Sequence, residues 1–222
     1  MNRVISLNPR FRGYPYRVDF VNVNNVHRVK ILSVSIPNTA YIVNNHNNKL
    51  EFSNGLVELA PGYYNTHEFK NELETKLKQI YNNAEVFLNE RTMKLTIVLN
   101  TTSILELNEA AQLLTGLNPH TQLTNTFKAA RTIFLNSSPV YYLRMKGVNS
   151  NVDIKYGSHV VLNNKVQRGD ILYYDSGDNI FNMPLSMTSN MNSIEFDLLD
   201  VNGYRVDLNN DFCNIVLQLE HD

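Results

Sequence analysis

Ser158 and His159, with Asp153 shortly before them, are the residue types of a nucleophilic triad, in which histidine takes the serine proton and a carboxylate orients the imidazole. Their order argues against that chemistry, because adjacent side chains on a strand point to opposite faces. Asp170, Asp175 and Asp178 in "DILYYDSGDN" are carboxylates that, with backbone oxygens, could hold calcium. The spacing fits no EF-hand loop, and Asp-Ser-Gly-Asp is ordinary turn chemistry. The six histidines, His27, His46, His67, His120, His159 and His221, have no metal-ligand spacing and read as surface or loop residues. A single cysteine, Cys213, can build neither a structural zinc site nor an internal disulfide, and within "CNIVLQLE" it reads as a buried, inert thiol. GxxxxGKS/T, GxGxxG, GxSxG and HExxH are all absent. The expectation is a chain with no catalytic, metal-binding or cofactor-binding residues, and not an enzyme.

The rest of the composition points toward contact rather than catalysis. The 222 residues are 43% hydrophobic and 10% aromatic, enough to bury one sizeable core, so a single domain is expected. The opening "MNRVISLNPRFRGYPYR" lacks the apolar centre of a secretory leader, and no run approaches the ~20 apolar residues that span a bilayer. A soluble protein made in the cytosol is the expectation, and in that setting the sequons at Asn100 and Asn136 carry little meaning. Twelve tyrosines and no tryptophan favour protein contact over a sugar-stacking platform.

Charge is nearly balanced overall, at −1, but unevenly placed. Residues 1–30 carry Arg3, Arg10, Arg12, Arg17, Arg28 and Lys30 against Asp19. Residues 191–222 carry Glu195, Asp197, Asp200, Asp207, Asp211, Glu220 and Asp222 against Arg205. Such ends could set orientation across an interface, or could be two ordinarily solvated segments. We expect residues 1–15, with Pro9 and Pro15, to form a basic arm, and residues 16–222 the folded domain.

The elements that must position these residues are mostly strands. Period-two alternation runs through Leu50–Phe52, Met93–Leu99, Tyr141–Met145, Ile194–Leu198 and Ile215–Leu219, each predicting a strand with one wet face. Further runs at 16–23, 28–36, 157–162 and 170–174 bring the count above eight. Asn54-Gly55 and Asn202-Gly203 lie between such runs and predict antiparallel hairpins with type I′ turns. Asparagine clusters in "NVNNVH", "VNNHNNK" and "YNNAEV" read as loops, as do 116–131, 146–157 and 175–190. Against this background Asn65 and Glu68 form a capping box, and Phe69, Leu73, Leu77, Ile80 and Tyr81 share one face of a helix near 66–81. A shorter helix near 108–114 stops at Gly116. Both are expected to cover an open edge or end of the strand framework.

The ordered succession "VKILSVSIPNTAYIVNNHNNKLEFS", "VELAPGYYNTHEFKNELETKL", "VFLNERTMKLTIVLN" and "AAQLLTGLN" resembles the single-jelly-roll penton, or minor capsid, proteins of viruses with double-jelly-roll major capsids. Polinton-type elements, adintoviruses and virophages are the nearest group, and adenovirus penton base is a distant relative. The likeness rests on a strand pair, then Pro61, Gly62, Tyr64 and a helix, then a hairpin and the segment Leu113, Leu114, Gly116; "SIEFDLLDVNGYRVDLNNDFCNIVLQLE" resembles the closing strands. It implies an all-β single jelly-roll sandwich of about eight or more antiparallel strands. It further implies a homopentamer at the fivefold vertices of an icosahedral capsid, in contact with the major capsid protein, in virions assembled from protein made in host-cell cytoplasm. Arg3, Arg10, Arg12 and Arg17 are then the candidate inward, capsid-contacting residues of the arm, with weak genome contact. The competing expectation is a jelly-roll module that binds carbohydrate or another ligand.

Overall fold

The computed structural model describes residues 1–8, 16–136, 138–148, 155–164, 167, 169–177, 183–209 and 211–222, with 183–188 as backbone alone. In chain order the elements are β1 (Asn2–Leu7), β2 (Tyr16–Pro37), β3 (Lys49–Phe52), β4 (Gly55–Glu58), α1 (Thr66–Lys78), β5 (Glu85–Asn89) and β6 (Lys94–Glu106). They continue with α2 (Glu109–Thr115), β7 (His120–Lys128), β8 (Val140–Met145), β9 (Val160–Asn163), β10 (Ile171–Asp175), β11 (Met183–Leu199) and β12 (Asn214–His221). The fold class is therefore all-β, as expected, and jelly-roll-like: curled antiparallel sheets with helices at the two expected places. Two compact units form, Met1–Ala40 with Ser137–Asp222, and Tyr41–Asn136.

The first unit is one antiparallel sheet in the order β1-β12-β2-β11-β8-β9, with β10 following β11 along the same edge of β2. Alternation buries Val34 and Ile36 of β2, Leu143 and Met145 of β8, Phe196 and Leu198 of β11, and Leu217 and Leu219 of β12 in one core. β2 unites the two short runs expected at 16–23 and 28–36, and the asparagines between them are strand, not loop. Asn25 adopts φ 53°, which asparagine tolerates, and the pairing registers of β11 and β12 shift beside it. The cluster thus bends a continuous strand, as a bulge does. β11 likewise extends back into the expected loop 175–190, and β1 makes residues 2–7 of the N-terminal segment an edge strand.

The second unit is a five-stranded antiparallel sheet, β4-β3-β6-β5 with β7 on the far side of β6. β7 occupies the expected loop 116–131. Its alternation was invisible because of its nine residues only Phe127 is fully buried. The Asn-Gly hairpin exists, but Phe52 pairs with Gly55, so Ser53 and Asn54 make the turn and neither has positive φ. The turn is displaced by one residue and is not type I′. At the second Asn-Gly pair, Asp200 Oδ1 accepts from the amides of Asn202 and Tyr204, Gly203 takes φ 84°, and Leu199 bridges to Arg205.

In α1, Asn65 Oδ1 accepts from the amides of His67 and Glu68 at 3.0 and 2.9 Å, while Glu68 Oε2 accepts from the Asn65 amide at 2.9 Å. The helix buries Phe69, Leu73 and Leu77, and lies against β4 and β5, both on the side of β6 opposite β7. It ends at Lys78, three residues before the expected end, although the Tyr81 amide still reaches Leu77 O at 2.8 Å.

Candidate interaction surfaces

Of the four arginines singled out in the sequence, Arg3 and Arg17 lie among the described residues, and Arg10 and Arg12 lie outside them. Arg3 is exposed on β1 opposite Leu219, which in turn pairs with Val29. Arg17 stands twelve residues from Val29 along β2, so the sheet does not bring the two together. The Arg17 guanidinium pairs with Asp19 at 3.0 Å, both well exposed.

The oppositely charged ends meet within the sheet. Lys30 Nζ and Arg28 Nη1 approach Glu220 at 2.6 and 3.5 Å across β2 and β12. The Lys30 hydrogen bond, more than its charge or that of Arg28, lowers the Glu220 carboxyl below its ordinary value despite partial desolvation. A second cluster surrounds Asp197, which the sequence placed on a wet face and which is instead 0% exposed. Arg144 donates to its Oδ2, while Arg205 Nε and Lys146 Nζ lie 3.7 and 4.0 Å from Oδ1. Lys146 also reaches Glu195 at 3.3 Å. One buried carboxylate thereby holds three basic side chains on the outer face of β8 and β11. No motif announces this cluster; the register, Asp197 opposite Arg144, creates it.

The triad and calcium candidates resolve into structural hydrogen bonds. Ser158 Oγ donates to Lys155 O at 2.7 Å. His159 is buried, not superficial: Nδ1 accepts from the Met145 amide, and Nε2 faces Val148 O, each at 3.0 Å. That pairing selects the neutral Nε2–H tautomer. Burial pushes the imidazole pKa down, and the Arg144 charge acts in the same direction. Asp175 accepts from the Gly177 amide and Tyr173 hydroxyl, and Asp170 from the Gln167 amide. Asp153 and Asp178 lie outside the described residues. Cys213 is buried, and desolvation raises its thiol pKa strongly. Among the described residues no group of three His, Cys, Asp or Glu side chains is placed to hold a metal ion.

Among the described residues several large apolar side chains are exposed. In the first unit, Ile171 and Tyr173 project from one side of β10 at 61% and 63% exposure. In the second, Phe87, Leu123 and Phe134 are exposed, and Leu56 at 46% exposure borders a groove of about 400 Å³ between residues 56–61 and Lys76, Gln79 and Ile80 at the end of α1. Several tyrosines that suggested interfaces bind internally: Tyr16 donates to Val206 O, Tyr64 to Ala60 O, and Tyr81 bonds Ser103 Oγ.

These features define a class: an all-β, jelly-roll-like protein whose candidate catalytic and metal-binding side chains, where described, are held in internal hydrogen bonds, and which exposes strand edges and scattered apolar side chains. No helix among the described residues is long and apolar enough to cross a membrane. Among solved structures the chain is similar to the mavirus penton protein, with 10% identity, 100% of both chains covered and a TM-score of 0.43. It is also similar to a chain in the cryo-EM structure of the Sputnik virophage, with 10% identity, 99% of this chain and 98% of that chain covered, and a TM-score of 0.45. No protein-family model matches the chain, and no curated protein does.

Proposed function

We propose that this chain is a structural viral capsid protein of the penton type, without enzymatic activity. In this reading it forms homopentamers that close the fivefold vertices of an icosahedral shell and contact a double-jelly-roll major capsid protein. The observation that carries the reading is the order of elements in the second unit. The β3–β4 hairpin, Pro61-Gly62 with Tyr64, the capped α1, the β5–β6 pair and α2 ending at Gly116 follow one another as the penton resemblance requires.

The physics of a closed ring is compatible with these surfaces. A head-to-tail ring needs two different complementary patches on each subunit. Ile171 and Tyr173 supply apolar area in one unit, and Phe87 and Leu123 in the other. The basic segment 1–15, with Arg3, Arg10 and Arg12, and Arg17 beyond it, contacts neighbouring capsid proteins and weakly the genome.

Co-expression with the major capsid protein of the same virus, followed by electron microscopy, tests the role. The reading expects this chain as fivefold density at the vertices. Particles whose vertices close without it would overturn the reading.

A further inference from the structure

Along β4, the direction of each backbone group follows from the ladder with β3. Leu59 donates its amide to Asn48 O at 2.9 Å and accepts from Asn48 Nδ2 at 2.9 Å, so both its backbone groups face the β3 side. The same register continues through Leu50–Val57 and Phe52–Gly55. In an antiparallel pair, residues that exchange backbone bonds alternate with residues that do not. Leu56 and Glu58 therefore turn their N–H and C=O groups away from β3, and both residues line the groove. Among the described residues no backbone bond closes those positions, and β4 pairs with β3 alone. The edge stops where the Ala60 carbonyl accepts the Tyr64 hydroxyl at 2.7 Å.

The groove is thus bounded on one side by open backbone and on the other by Lys76, Gln79 and Ile80. Ile80 closes one end, lying so near that a Cβ on Gly55 would sit 3.2 Å from its Cδ1. Alternating donors and acceptors along a strand edge are matched by another polypeptide in extended conformation. Charge narrows the choice further. Glu51 on β3 stands directly opposite Glu106 on β6 and beside Leu56, and Glu58 adds a third exposed carboxylate; the nearby cations are Lys49, 3.8 Å from Glu58, and Lys76, 3.9 Å from Glu72 on the helix. Like charges opposed across a ladder are unfavourable, and cations laid alongside relieve them.

We propose that the β4 edge and the adjoining end of α1 form a docking groove for an extended basic segment of a partner protein, which adds to the sheet as a strand beside β4. Its backbone bonds Leu56 and Glu58, its basic side chains lie toward Glu51 and Glu58, and its alternate, apolar side chains enter the groove beside Ile80. The inference stands independently of the capsid reading.

The test uses the full chain, isotopically labelled, and a blocked heptapeptide of alternating lysine and valine, with an alternating glutamate and valine peptide as control. Amide exchange at Leu56 and Glu58 is expected to be fast without peptide and to slow at least tenfold with the basic peptide, with no slowing by the acidic one. Leu56→Pro removes an outward donor while leaving the bonds of Gly55 and Val57 to β3, as proline on an edge strand can. It is expected to weaken binding at least tenfold with circular dichroism unchanged. Glu58→Lys, which keeps the backbone intact, is expected to weaken it similarly. Unchanged exchange with the basic peptide, equal slowing by both peptides, or slow exchange before any peptide is added would each overturn the proposal. Because none of these readouts requires a ring, a monomer that binds the peptide refutes only the pentamer, and a pentamer that does not bind it refutes only the groove.

Discussion

Arg144 and Asp197 face each other across β8 and β11, and the guanidinium donates from Nε and Nη2 to the same carboxylate oxygen at 3.2 and 2.5 Å. The other oxygen receives no hydrogen bond among the described residues. Removing one partner of a buried ion pair strands the other, at a cost of about 3–5 kcal/mol. Because Lys146 and Arg205 remain within 4.0 Å, Arg144→Ala should fall at the low end, about 3 kcal/mol. Arg205→Ala, which removes a half-exposed pair at 3.7 Å, should cost less than about 1 kcal/mol. Urea denaturation of the two variants checks the ranking.

His159 makes stability depend on pH in a defined direction. Its folded pKa lies below the ordinary 6.5, so in the window between the two values the unfolded chain binds more protons than the folded one. The contribution is complete above the unfolded value and is lost as pH falls through the folded one. Protonation also turns Nδ1 from acceptor to donor against the Met145 amide. Thermal unfolding from pH 7.5 to 5 should show falling stability in the native chain. The fall should be shallower in His159→Asn, although that variant starts less stable.

The capping box gives a smaller, local effect. Asn65→Ala should destabilise by about 1 kcal/mol, and Asn65→Asp, which keeps an acceptor for the His67 and Glu68 amides, by a few tenths at most. Chemical denaturation followed by the far-ultraviolet helical signal reads both.

Gly116 separates conformational cost from collision. It adopts φ 71°, and a Cβ there would lie 2.1 Å from the backbone oxygen of Arg131. Asparagine tolerates left-handed backbone but carries a Cβ. Gly116→Asn should therefore be nearly as damaging as Gly116→Ala, both costing more than the roughly 1 kcal/mol of left-handed strain alone. Matched melting curves compare them.

Much of the framework could be read from side-chain types. The capped helices were legible because Asn65, Glu68 and Gly116 act through neighbours in sequence, and core strands because Ile194, Phe196 and Leu198 alternate cleanly. β7 was hidden because an edge strand with one buried residue has no period to detect. β2 was split because Asn25 signals positive φ equally in a loop and in a bulge. The buried roles of Asp197 and His159 depend on strands distant in sequence, on a register placing Arg144 opposite one and on the Met145 and Val148 backbone enclosing the other. The open edge at Leu56 and Glu58 was invisible for the same reason, since which backbone groups face outward depends on a pairing displaced by one residue from the expected turn.

A ring of five subunits has a defined mass in solution, which can be measured on the purified protein. Light scattering behind a sizing column, over a concentration series and with the major capsid protein added, should give a species of about 128 kDa, five times the 25.5 kDa chain. A monomer persisting at every concentration and in the presence of the major capsid protein, or a closed ring of another number, would contradict it.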